Sequence, residues 1–153
     1  MKKLFLLLLM AVAFCGSADA QKGMKGVGIN MSSYLNSDGI GIGGGLKFQY
    51  NISDYFRLEP LITVVSYDSD TYFSSLLNLH SFLSSPKACR PYVLIGVGYG
   101  HHWTDGCVAG AGFGLDWRLS HQFSFQLEAG GNGVIGEESG LGLKIILGVT
   151  YNF

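Results

Sequence analysis

The side chains able to do chemistry are sparse in this chain, and most of them sit at alternating positions. Lys47, Arg57, Glu59, Asp116, Arg118 and Glu128 share a parity with the polar side of their segments, and Lys144 does so near the C-terminus. Alternation at period two puts such residues on one face of a β-strand. A strip of facing cations and carboxylates has two uses: a path for ions or protons, or a set of ion pairs that closes a narrow space. A second cluster, His101-His102-Trp103-Thr104-Asp105-Gly106-Cys107, offers metal-ligand types, but no helix or hairpin spacing fixes them as a tetrahedral set, and no metal is expected there. His80 and Ser81 are adjacent, hence on opposite faces of a strand, and cannot act as base and nucleophile. Ser120 and His121 have no carboxylate placed beside them by spacing. No catalytic, cofactor-binding or metal-ligating residue is therefore expected, and the chain reads as no enzyme.

The elements that carry these residues are strands. The clearest is the last: Ile145, Leu147, Val149, Tyr151 and Phe153 alternate with smaller or more polar residues over a stretch long enough for a tilted strand to cross a bilayer. Going back along the chain, strands are expected over 25–31, 40–52, 56–67, 72–83, 90–100, 110–119 and 123–129. Strand four is blurred by Leu76 and Leu77, and Pro60 suggests a bulge in strand three. Turn-rich 32–39, 68–71, 101–106 and 131–140 are expected as the longer loops at one end, with tight turns at the other. Glycines opposite the apolar faces permit tight curvature or let Tyr67 and Tyr92 fold inward. The segment 43–56 superimposes without a gap on 110–123, as a four-strand unit used twice would.

Charged residues make up only 14% of the chain, so the wet outer face of a soluble β-domain is missing. Net charge of −1 offers no basic patch for nucleic acid. Tyr50, Phe56, Trp117, Phe123, Tyr151 and Phe153 gather at the turn ends of their strands and Tyr99 at the loop end, as two interfacial belts would. At the N-terminus, Lys2 and Lys3 precede an apolar run from Leu4 to Phe14, too short to span as a helix, and then Ala18-Asp19-Ala20. This is the pattern of a secretory signal peptide over residues 1–20, cleaved between Ala20 and Gln21, leaving one domain over residues 21–153.

With its signal peptide, eight alternating strands, aromatic belts and terminal Phe153, the chain resembles the small OmpA/OmpX-like barrels of the bacterial outer membrane. Its Gly-rich style is similar to the "porin family" barrel domains of Bacteroidetes. The resemblance implies an all-β fold, an eight-stranded antiparallel up-and-down transmembrane barrel, in the outer membrane of a Gram-negative bacterium with both termini periplasmic. It implies outer-membrane lipid as surroundings, barrel-assembly machinery as a partner of the last strand, and a monomer, with no cofactor. The function expected is structural or interactive, with a lumen closed by charge pairs; the alternative is a narrow porin-like channel or small-ligand pocket. Cys89 and Cys107 fall at opposite ends of neighbouring strands and are expected to stay unbridged.

Overall fold

The computed structural model describes residues 22–36, 39–67, 70–84, 88–101, 106–135 and 140–153. The signal-peptide pattern, with Ala20 and Gln21, lies outside the described residues, as does the greater part of the His-rich loop, 102–105. Eight strands follow one another: β1 (Lys25–Asn36), β2 (Gly39–Asn51), β3 (Phe56–Tyr67), β4 (Asp70–Phe82), β5 (Cys89–His101), β6 (Gly106–Arg118), β7 (Phe123–Ile135) and β8 (Gly140–Asn152). Each pairs antiparallel with its neighbours in sequence, and β1 pairs with β8 to close the barrel. An open sheet edge in lipid would strand a row of backbone polar groups, which closure avoids.

The strands alternate as the sequence pattern requires. Ile40, Ile42, Leu46, Ile62, Ile95, Phe113, Leu143 and Ile145 stand exposed on the outside, while polar side chains of the opposite parity are buried within. A molecule with its aliphatic side chains outside and its charges inside suits a lipid surround. The register fixes the bore. A row of ladder partners that leaves β1 at Lys25 passes Tyr50, Leu58, Leu79, Ile95, Ala111, Gly131 and Leu143 and re-enters β1 at Leu35, ten residues on. Eight strands with that stagger tilt by about 40° and hold their backbone about 8 Å from the axis. Two long side chains reaching in from opposite walls therefore meet.

Three expectations about the strands are corrected. The strands run farther than expected at the loop end: Ser32 to Asn36 belongs to β1, and Gly131 to Ile135 to β7. The segments between strands at that end shrink to residues 37–38, 68–69, 102–105 and 136–139, no longer than the turns opposite. Turn-forming residues such as Ser and Gly were outweighed there by ladder pairing to the neighbouring strand, Ser33 to Ile42 and Gly133 to Ala109 among them. Nor is there a bulge at Pro60. The register of β2 against β3 is the same on either side of it, Lys47 to Leu61 and Tyr50 to Leu58. Pro60 lacks an N–H, and the ladder is simply interrupted opposite Phe48 and Gln49.

The two superimposable segments occupy equivalent places. They begin inside β2 and β6, which lie four strands apart in the ring, and each ends in a turn of the same construction. In one, the Ser53 hydroxyl accepts bonds from the backbone N–H groups of Tyr55 and Phe56. In the other, the Ser120 hydroxyl accepts from those of Gln122 and Phe123. Outside, Phe123 packs edge-on against Tyr151, and Trp117 tilts against Phe125, building an aromatic girdle at the turn end. Phe73 and Tyr99 stand exposed at the other end.

Candidate functional site: the barrel lumen

The inward parity of every strand delivers its polar residues to one interior, stacked in layers along the axis. At the turn end, Arg57 from β3 donates through Nη2 to Asp116 Oδ2 on β6 at 2.9 Å, directly across the bore. Its Nε donates to Asn51 Oδ1. Arg90 from β5 comes within 3.6 Å of the same Asp116 oxygen and donates to the carbonyl of Asp54 in the β2–β3 turn. The Phe82 ring lies against both guanidiniums, 3.6 Å from Arg90 and 4.8 Å from Arg57. One carboxylate and one aromatic face therefore hold two cations.

A second group lies beside it. Gln49 Nε2 donates to Glu59 Oε2 at 2.7 Å and to Gln126 Oε1 on the far wall at 2.9 Å. Lys47 donates to the same Gln126 oxygen and forms an ion pair with Glu59 at 3.9 Å. His80 of β4 places Nε2 3.7 Å from Glu59 Oε1, and its ring stacks on Tyr92 at 4.6 Å between centroids. The Tyr92 hydroxyl donates to Glu128 Oε1 at 2.8 Å. A Cβ on Gly114 would stand 2.5 Å from Tyr92 Cζ, so glycine at that position is what lets the tyrosine fold across the bore. Gly41 does the same for Tyr67.

One inward position toward the loop end from Glu59 and Asn78, the lining turns aliphatic. Leu61, Leu76, Val108 and Ile146 are buried together, with Val134 against them. On the turn side, Phe82, Tyr92 and Leu94 form a second apolar cluster. The polar band is thus covered toward the loop end by an aliphatic layer and interleaved with a second apolar cluster, and its side chains are buried from solvent.

Lys47, Arg57, Glu59, Asp116 and Glu128 all lie in this interior, each no more than 3% exposed, and Lys144 lies there too. Arg118 stands apart. It is half-buried at the turn-end rim, where it donates to the backbone carbonyl of His121 and approaches Met24 Sδ. Arg90 lies beside Asp116 instead, so the described interior holds four cations, Lys47, Arg57, Arg90 and Lys144, and three carboxylates. Glu128 meets Tyr92, and among the described residues no Lys or Arg comes within ion-pair distance of it.

Sequence reasoning missed Arg90, His80 and the aliphatic layer. Arg90 shares the parity of inward Tyr92, and that signal was available. His80 was obscured because β4 carries Leu76 inward and Leu77 outward, so hydropathy does not alternate there. Ser81 faces away from His80, as adjacent strand residues must. Cys89 and Cys107 are not bridged to each other and stand at opposite ends of the β5–β6 ladder, Cys89 beside Trp117 and Cys107 beside Tyr99.

No family model matches the chain, and no curated protein matches it in sequence. Among solved structures, it is similar to Neisserial surface protein A, with a TM-score of 0.69 at 13% identity over 89% of this chain and all of that one. It is similar to the outer membrane protein OprG from Pseudomonas aeruginosa, with a TM-score of 0.61 at 14% identity over 90% of this chain and 98% of that one. The attachment invasion locus protein Ail of Yersinia pestis gives a TM-score of 0.55 at 16% identity over 86% of this chain and 99% of that one. At these identities the likeness is one of fold, the small closed transmembrane barrel.

Proposed function

We propose that this chain is an integral outer-membrane barrel of a Gram-negative bacterium with a structural or interaction role, and that its lumen is a plug and not a path. The observation that carries this reading is the filled bore: an Arg57–Asp116 pair across it, Gln49 and Lys47 bonded to Gln126 on the opposite wall, and an aliphatic layer above. A selective pore needs a lined, open route with sites an ion can enter and leave, and the aliphatic layer and the buried, cross-linked polar side chains oppose that. The exposed aliphatic band and its aromatic ends support a lipid surround, and the likeness in fold to an outer membrane protein and an attachment invasion locus protein supports the location and an interaction role.

On this reading residues 1–20 are a leader removed between Ala20 and Gln21, the barrel is a monomer in lipid, and the chemistry is not enzymatic. The strand carrying Ile145, Leu147, Val149, Tyr151 and Phe153 is the segment recognised by barrel-assembly machinery. Both termini and the Ser53 and Ser120 turns face the periplasm, leaving the short 37–38 and 68–69 connections outside. Expression in a Gram-negative host tests this. The protein should sediment with the outer membrane as a chain beginning at Gln21. An epitope inserted at 37–38 should be reached by antibody on intact cells, and one inserted at Asp54 should not. The reverse labelling, or recovery in the soluble periplasm, would overturn the reading.

A further inference from the structure

Two buried groups in the lumen lack the partners that burial demands, and they lie beside each other. His80 is fully buried, and neither of its ring nitrogens makes a hydrogen bond. Glu128 is 1% exposed; among the described residues its Oε2 accepts nothing, and its one bond is from the neutral Tyr92 hydroxyl to Oε1. Burying a polar group without a partner costs free energy, and buried carboxylates are ordinarily paired or bound to metal. Glu59 completes the set. Gln49 and Lys47 engage its Oε2, and it is the other oxygen, Oε1, that lies nearest His80 Nε2. Each carboxylate therefore has one oxygen held by a neighbour, and for Glu59 it is the other oxygen that faces the imidazole.

We infer that Glu59, His80 and Glu128 form a buried binding site for a divalent first-row transition-metal ion of the Zn(II) class. One ligand atom from each of the three lies within 4.8 Å of the others. Ligand atoms around tetrahedral Zn(II), each at ~2.0–2.2 Å, stand about 3.3 Å apart, so side-chain shifts of about 1.5 Å or less close the site. The donor set, one imidazole nitrogen and two carboxylate oxygens, suits Zn(II), Fe(II) or Mn(II) and is too poor in oxygen for Ca(II). Two carboxylates supply the negative charge that a buried dication needs, with the Lys47 ammonium also drawn to Glu59 through its other oxygen. The supporting groups are those a metal site needs. Tyr92 stacks on the His80 ring and fixes Glu128 through its hydroxyl, and Gln49 orients Glu59. The ligands come from β3, β4 and β7, so the ion would tie opposite walls of the barrel together.

With all three ligands buried from solvent, the ion enters as the barrel forms, so the test loads it during folding. The full chain is refolded from urea into detergent micelles with Co(II) as the spectroscopic stand-in for Zn(II), then freed of excess metal by gel filtration. Only protein that migrates as the folded form on a cold SDS gel is scored. Folded wild-type protein should retain one Co(II) per barrel, with visible absorption of nitrogen and oxygen coordination, and should yield it slowly to EDTA. His80→Gln and Glu128→Gln should lose it, while His101→Ala and His121→Ala, which alter histidines outside the site, should keep it. Tyr92→Phe keeps the stacked ring and removes only the hydroxyl; it should weaken binding about 10- to 100-fold. Folded wild-type protein without Co(II), or Co(II) retained equally by His80→Gln, overturns the inference. If His80→Gln and Glu128→Gln fail to fold, wild-type stoichiometry and the Tyr92→Phe shift decide it, and an unshifted Tyr92→Phe counts against the site.

Discussion

Replacing Asp116 by Asn separates the plug from a merely polar interior. Among the described residues Asp116 is the only carboxylate within ion-pair distance of Arg57, at 2.9 Å, and it lies 3.6 Å from Arg90 as well. Its side chain is 3% exposed, so solvent does not screen the loss. The amide keeps the shape and one acceptor oxygen but leaves the Arg57 guanidinium, which lies against Phe82 close to that of Arg90, without its carboxylate. Breaking a buried pair from one side costs about 3–5 kcal/mol, because the remaining charge is stranded. Glu128→Gln is the matched control. Without metal, Glu128 has no cation at ion-pair distance, and Gln keeps an acceptor for the Tyr92 hydroxyl. Its cost should be about 1 kcal/mol or less, the scale of one ordinary hydrogen bond. Urea unfolding in detergent micelles, followed by intrinsic fluorescence and by cold SDS gel mobility, reads both values. Equal small effects would mean that water, and not ion pairing, satisfies the Arg57–Asp116–Arg90 group, and the reasoning would fail.

Three further outcomes are expected. Deleting Tyr151 to Phe153 removes the Val27–Tyr151 and Gly26–Asn152 pairings and the reciprocal Lys25–Phe153 backbone bonds that finish the β1–β8 seam; the folded, heat-modifiable band should disappear from cold SDS gels, and normal assembly of the truncated chain would contradict this. Cys89 and Cys107 should each take up a thiol reagent in unfolded, unreduced protein, since ten residues of strand at ~3.3 Å each separate them against the roughly 7 Å a bridge allows; an intramolecular bridge seen by mass would mean the strand order is wrong. Gly114→Ala should displace Tyr92 from its place across the bore, breaking its bond to Glu128 and its stack on His80; retention of wild-type urea stability would show that the tyrosine is not held there by the glycine.

Much of the barrel was legible because period-two patterning is decisive where one face meets lipid. Ile40, Ile42, Leu46 and Phe48 against Gly41, Gly43, Gly45 and Lys47 admit one reading, and the structure has it. What the pattern concealed follows from the same physics. A narrow bore is also a core, so β4 buries Leu76 and β3 buries Leu61 and Val65 on the polar side, where patterning leads one to expect wet residues. Partners across the lumen were harder still. Glu59 and Glu128 share a parity with their neighbours, but the ten-residue stagger decides that Arg57 reaches Asp116 while Glu128 meets Tyr92, and no local spacing encodes that stagger. Strand ends were misjudged where Ser and Gly spoke for turns and the ladder continued through them, as in 32–36 and 131–135.

The closed lumen is tested most directly by recording from purified, folded protein in a planar bilayer. Wild-type barrel should give no steady conductance at any applied voltage that the bilayer survives, and Glu59→Gln should change stability without opening a path. Stable wild-type conductance whose ion selectivity shifts in Glu59→Gln, with the barrel's urea stability unchanged, would contradict the plug and establish a channel in its place.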